Sequence, residues 1–174
     1  MDLLQAVQAI LETTPGRWSA LATLPEDIVG RSPSAGEWSA GECLLHVLDT
    51  ERQVFPARVR WLLAGQDFPA FDPDREGSHP KVSGGVGDWA QDFARLRAES
   101  LALVKTLRSS DMQCKARHQE LGVVTLGELL HEWGGHDLMH LMQAERALLQ
   151  PFIAGCGPWL SYFAEHRIED SGRS

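Results

Sequence analysis

The residues best suited to chemistry in this sequence are two histidines four positions apart, in His136-Asp137-Leu138-Met139-His140. At 3.6 residues per turn, such a pair is only about 40° apart around a helix, so both imidazoles leave the same face one turn apart. That spacing lets a helix offer two nitrogen ligands to one ion. The same stripe carries Leu126, Leu129, Trp133, Ala144 and Ala147, which turns the pair towards a core. The apolar company is equally compatible with two core imidazoles satisfied by hydrogen bonds.

A third ligand must come from another element, and His46 fits best. It lies one to two turns into a second helix, on a face with Cys43, Val54, Ala57 and Trp61, with Thr50 and Gln53 placed to line a small polar cavity. His131 lies nine residues before His140, about half a turn away on the wheel, and reads as a surface residue. His79, His118 and His166 fall in loops or near the tail and are weaker candidates. Gly134 and Gly135, just before His136, mark either a close helix contact or a local bulge.

Three neutral imidazoles leave an ion its full +2 charge and an open position, as in catalytic rather than closed structural sites. Such an ion can bring a water or a thiol to its anionic form near neutral pH. The expected cofactor is one divalent ion, Zn, Ni or Fe, because imidazole suits all of them. Glu42, Asp49, Glu132 and Asp137 lie near the ligands. Asp49 and Glu132 border the ligand stripes, but no residue stands out as a general base and the catalytic residues stay unassigned. Cys43 reads as a small buried hydrophobe rather than a nucleophile.

The elements that position these residues are helical. A first helix is expected over Asp2 to Thr13, restarting at Thr14-Pro15 and reaching Leu24. A second starts at Ser39, where Glu42 gives capping-box spacing, and runs to about Ala64 with a kink at Pro56 and a stop at Gly65. The Pro- and Gly-rich connection from Gln66 to Gly87 is expected to border the mouth of the site. A third helix is expected from Asp88 to Leu107, with a seam of Trp89, Phe93, Leu96, Ser100, Leu103 and Leu107. A short extended piece is expected at His118 to Val124. A fourth helix runs from the Thr125 cap to Gln150, and Pro158 opens a short last one. The fold class is therefore all-α, a four-helix bundle with long connections and a short extra C-terminal helix. One domain is expected over residues 1–168, with a frayed tail at 169–174.

Composition narrows the function classes. The chain has 174 residues, 43% apolar and 23% charged, which suits one globular domain. Its net charge of −8 and its scattered Arg residues exclude a basic footprint for nucleic acid. No apolar run approaches the ~20 residues that span a bilayer, so no membrane partner is expected. Cys43, Cys114 and Cys156 lack CxxC spacing, and the N-terminus lacks the basic start of a secretory signal; a cytoplasmic location follows as the expectation.

With these residues in place, the sequence resembles the DinB/YfiT-like family of small bacterial four-helix proteins. The matching segments are EWSAGECLLHVLDTE around His46, FPAFDP in the long connection, and ELGVVTLGELLHEWGGHDLMHLMQ around His136 and His140. The resemblance covers nearly the whole chain. It implies a divalent metal on one histidine of the second helix and two of the HxxxH, here His46, His136 and His140. It also implies a homodimer, to which six Trp and six Phe could contribute packing. Family members of known activity transfer low-molecular-weight thiols such as mycothiol or bacillithiol, or isomerise maleylpyruvate with one. The sequence therefore reads as a metal-dependent enzyme on a small-molecule substrate, a thiol S-transferase first and a hydrolase next. The alternative is a non-catalytic metal- or ligand-binding stress-response module.

Overall fold

The computed structural model describes residues 2–71 and 84–168. Helix α1 spans Leu3–Leu21, opened by Asp2, whose carboxylate accepts the Gln5 N–H at 3.2 Å. The expected break at Thr14-Pro15 does not occur. Thr14 spends its hydroxyl on Asp137 across the bundle instead of on a cap, and the helix tolerates the ladder bond lost at Pro15. A short α2, Glu26–Val29, lies in the connection that follows.

Ser39 caps α3, Ala40–Gln53, with both arms of the capping box in place: Glu42 N–H to Ser39 Oγ at 3.2 Å, and Ser39 N–H to Glu42 Oε2 at 2.7 Å. The expected kink is a full break at Val54, and α4, Phe55–Ala64, begins there. Pro56 thus sits in a first helical turn, where its missing N–H leaves nothing unmatched. Gly65 closes α4 in the left-handed region, φ 63°, which suits a residue without Cβ.

Helix α5, Val86–Val104, starts two residues before the expected Asp88; Asp88 is its third residue and accepts the Gly85 N–H at 3.0 Å. The helix ends at Val104, short of the expected Leu107, and a 3-10 turn, Ser109–Gln113, follows. The expected extended piece is a hairpin: β1, Lys115–His118, pairs antiparallel with β2, Gly122–Thr125, with Lys115 opposite Thr125 and His118 opposite Gly122. Phe68, from the start of the long connection, forms a parallel bridge with His118 on the hairpin's outer edge. The middle of that connection and the tail after 168 lie outside the described residues.

Thr125 caps α6, Leu126–Gly155, by a second complete capping box with Glu128. The helix passes through Pro151 instead of stopping there, and a 3-10 helix, Gly157–His166, ends the described chain. Helix α1 packs on α5 and α6, and α3 packs on the same two, so α1 faces α3 diagonally across a four-helix bundle. No described helix is long and apolar enough to cross a membrane.

The core is split in two. One apolar cluster joins Val7, Leu11, Phe55, Val104, Leu130 and Trp133; the other joins Trp18, Leu44, Leu48, Phe93, Ala144 and Leu148. Along each of α1, α3, α5 and α6 the residue between the two clusters is polar and buried: Thr14, Glu51, Arg97 and Asp137. The bundle therefore has a polar waist.

Candidate metal centre

His46 on α3 and His136 and His140 on α6 converge at this waist. One ring nitrogen from each lies within 4.8 Å of the other two, and His46 Nε2 is 3.1 Å from His136 Nε2. Metal–nitrogen bonds of about 2.0–2.1 Å in a tetrahedral site would separate ligand atoms by roughly 3.3 Å. His140 is buried, while His46 and His136 are half-buried. The sequence's three candidates are the three that the fold brings together.

The surroundings suit neutral imidazoles. Burial, reinforced by His140, His46 and Arg97, pushes the His136 imidazole down to about 3. Burial also lowers His140, against the opposing pull of Gln143 and Asp137. Gln143 Oε1 lies 3.0 Å from His140 Nδ1; accepting that N–H leaves the Nε2 lone pair for the cluster. His136 Nδ1 is buried without a hydrogen-bond partner. Trp38 stacks on His140 at 5.7 Å and leans on His46 at 5.1 Å, and Phe55 meets His136 edge-on at 5.1 Å. Three imidazole nitrogens gathered at one point beside aromatic rings are a donor set that fits a divalent ion.

Directly behind the imidazoles, Arg97 binds Asp137 bidentately, at 2.7 and 2.8 Å, and donates to Thr14 Oγ1 at 3.1 Å. Its Nη2 also lies 2.9 Å from Glu51 Oε2, an ion pair in which the Glu51 oxygens lack an aligned donor. Burial alone would lower the Arg97 pKa, but Asp137 and Glu51 outweigh it and the guanidinium is held more firmly protonated. The cluster acts on the two imidazoles in opposite senses: Arg97 disfavours positive charge at His136, while Asp137 favours it at His140.

Most neighbouring carboxylates are committed elsewhere. Glu42 serves its capping box, Asp49 pairs with Arg52 at 3.3 Å and Asp137 serves Arg97. Among the described residues Glu132 makes no hydrogen bond or ion pair; desolvation raises its pKa, with Arg58 pulling the other way. Thr50 does not line a cavity, because its hydroxyl donates to the carbonyls of His46 and Val47, and Gln53 is exposed. Helix α6 has no bulge at Gly134 and Gly135; Gly134 packs against Val7 and Ile10 of α1. Cys43 is buried and its thiol is pushed up to about 12, chiefly by that burial, so it is inert. His131 is exposed, His118 ends β1, and His166 lines a cavity of about 650 Å³ that also touches Trp38, Met139, Met142 and Gln143. His79 lies outside the described residues.

The sequence reading gave Trp38, Glu51 and Arg97 no role at the site. Arg97 had a signal: it lies one turn after Phe93 in the apolar seam of α5, where a guanidinium requires buried counter-charges.

Comparison with known proteins agrees with this architecture. A family model described as the DinB superfamily matches residues 10–144. YfiT from Bacillus subtilis, described as a probable metal-dependent hydrolase with an unusual four-helix bundle topology, superposes with a TM-score of 0.72 at 15% identity, covering 86% of this chain and 87% of its own. No curated protein matches the sequence. At that identity the structural likeness carries the fold.

Proposed function

We infer that this chain, which belongs to the DinB superfamily, is a metal-dependent enzyme acting on a small molecule. The observation that carries the reading is the convergence of three ring nitrogens within 4.8 Å. His46, His136 and His140 would hold one divalent ion as neutral ligands, and the depressed pKa of His136 keeps it available at any ordinary pH. A divalent ion held there would supply Lewis acidity, enough to bring a nucleophile to its anionic form near neutral pH.

The chain's own groups do the rest. Gln143 fixes the His140 ring, and Trp38 and Phe55 shield the imidazoles from water. Glu132, one turn before His136 and raised by desolvation, is the carboxyl best placed to take the proton of the nucleophile. Water is the first choice of nucleophile, because the superposed YfiT is described as a probable metal-dependent hydrolase. A low-molecular-weight thiol, favoured by the sequence resemblance, is the second.

The test begins with elemental analysis of protein purified without an affinity tag, followed by chelation and reloading with Zn, Ni or Fe. Hydrolysis of an ester and amide panel is then compared with transfer of a thiol to an electrophile. Stoichiometric metal and a turnover that disappears in His46→Ala, His136→Ala and His140→Ala support the reading. Chelation should also lower the melting temperature, since an ion at a hundredfold excess over Kd stabilises the fold by about 2.7 kcal/mol. Equal metal content in wild type and all three variants sinks it, and metal with ligand-induced stabilisation but no turnover makes the protein a binding module.

A further inference from the structure

One helical turn from the candidate metal centre lies a second polar cluster that the imidazole site does not use. Arg58 on α4 and His118 at the end of β1 meet on the wall of a small cavity of about 200 Å³, otherwise walled mainly by Phe68, Leu121, Val124 and Leu129. His118 is 5% exposed and packs edge-on against Phe68 at 5.4 Å; the Arg58 guanidinium lies 5.7 Å from the centroid of the same ring.

The hydrogen bonds around His118 fix its tautomer. The main-chain N–H groups of Glu120 and Leu121 both point at Nδ1, at 3.2 and 3.3 Å, and an amide can only donate. Nδ1 therefore accepts, and the ring's proton sits on Nε2. Yet Arg58 Nη2, which also can only donate, lies 3.3 Å from Nε2. Two N–H donors, one on a side chain 95% buried, are aimed at each other with no acceptor between them. Such a pair is satisfied when an anionic oxygen accepts from both.

We propose that Arg58 and His118 form an anion site that takes the carboxylate of a small, otherwise apolar molecule. The cavity has room for a carboxylate and a short apolar chain, and little more. Glu128 and Glu132 also line it, which disfavours the higher charge of a phosphate and leaves a monoanion as the fitting guest. Of these two, Glu128 is engaged in its capping box with Thr125, while Glu132 is the built-in competitor for Arg58.

Glu132 precedes His136 by one turn, about 6 Å along α6, and Phe55, which touches His136, precedes Arg58 by three residues on α4. The site would thus anchor the carboxylate end of the substrate whose other end is presented to the imidazoles. That role rests on the metal-enzyme reading above, but the anion site itself does not.

The test titrates the whole protein with propionate, with chloride at matched ionic strength as the blank, and follows the His118 ring resonances by NMR. A saturable shift is expected in wild type, weakened roughly tenfold or more in Arg58→Gln by the loss of a charge-assisted hydrogen bond, and strengthened in Glu132→Gln. His136→Ala, which should lose the ion, should keep the propionate response, so failure of the metal reading and failure of this one are separable. The absence of a saturable shift in wild type, an equal shift in Arg58→Gln, or inorganic phosphate binding at least as tightly as propionate would overturn the proposal.

Discussion

Two polar clusters share the waist of this bundle and are built on opposite terms. The Arg97 cluster is closed in charge, although Arg97 Nε and both Glu51 oxygens are buried without an aligned hydrogen bond: one guanidinium, 1% exposed, collects Thr14, Glu51 and Asp137, one residue from each of the other three bundle helices. The imidazole cluster beside it is open. Its three ring nitrogens converge within 4.8 Å of one another, and the outer nitrogen of His136 is buried without a partner. The first supplies its own counter-charges, so it needs only to be folded correctly. The second gathers three imidazoles that could hold an ion, the role proposed for it above. Charges that must only exist can be paired inside the protein, while groups meant to hold a guest must keep a donor atom available to it.

The largest effect should come from breaking the closed cluster. Arg97→Met strands two buried carboxyl groups, and removing one partner of a buried pair costs about 3–5 kcal/mol. Urea denaturation should show a loss of that size, with or without metal. A loss below about 1 kcal/mol would show that the layer is solvated rather than closed.

The open cluster should instead reveal itself through pH. In metal-free protein His136 has a folded pKa of about 3, below the ordinary value near 6.5, and His140 is shifted in the same direction. Between those two values the unfolded chain binds a proton that the folded chain rejects. Stability should therefore be full above about pH 6.5 and fall as the pH drops towards 3, by up to about 1.4 kcal/mol per unit for each such histidine. Saturating metal should move the onset of the fall to lower pH. Identical melting curves at pH 7 and pH 5 in metal-free protein would contradict the depressed pKa of His136.

How much of this was readable beforehand follows from the kind of information each feature needs. Caps are local, so Ser39 with Glu42 and Thr125 with Glu128 were legible as helix starts. The HxxxH pair is local too, and its apolar stripe gave its direction. Pro15 and Pro151 misled, because whether a helix survives a lost ladder bond is decided by tertiary packing, here the Thr14–Asp137 contact and the packing of Ile153 in the core. The Arg97 cluster joins residues 40 to 123 positions apart, and no local pattern announces which acid meets which base. Trp38 was legible as part of a motif, but its stacking on two imidazoles depends on how the loop before α3 folds over α6.

A smaller effect should separate positioning from ligation within the open cluster. Gln143→Leu removes the acceptor that orients His140 while leaving all three imidazoles in place. Loss of such an outer partner typically weakens metal affinity by about 10–100-fold. Isothermal titration should show reduced affinity at unchanged stoichiometry, whereas a lost ion would make Gln143 a ligand itself.

The smallest expected effect is at His131, and it tests the comparison at its root. Helix α6 carries three histidines, so a metal signal could in principle reflect imidazole content rather than convergence. His131 is exposed and lies five residues before His136, more than one turn and off its face, so its nitrogens do not join the cluster. An exposed substitution away from caps and core usually changes stability by less than about 0.5 kcal/mol. His131→Ala should accordingly leave melting temperature, metal stoichiometry and pH profile as in wild type, while His136→Ala on the same helix loses the ion. If His131→Ala alone lost it, the ion would sit on the outside of α6, and the three inward imidazoles would be core residues that the bundle satisfies some other way.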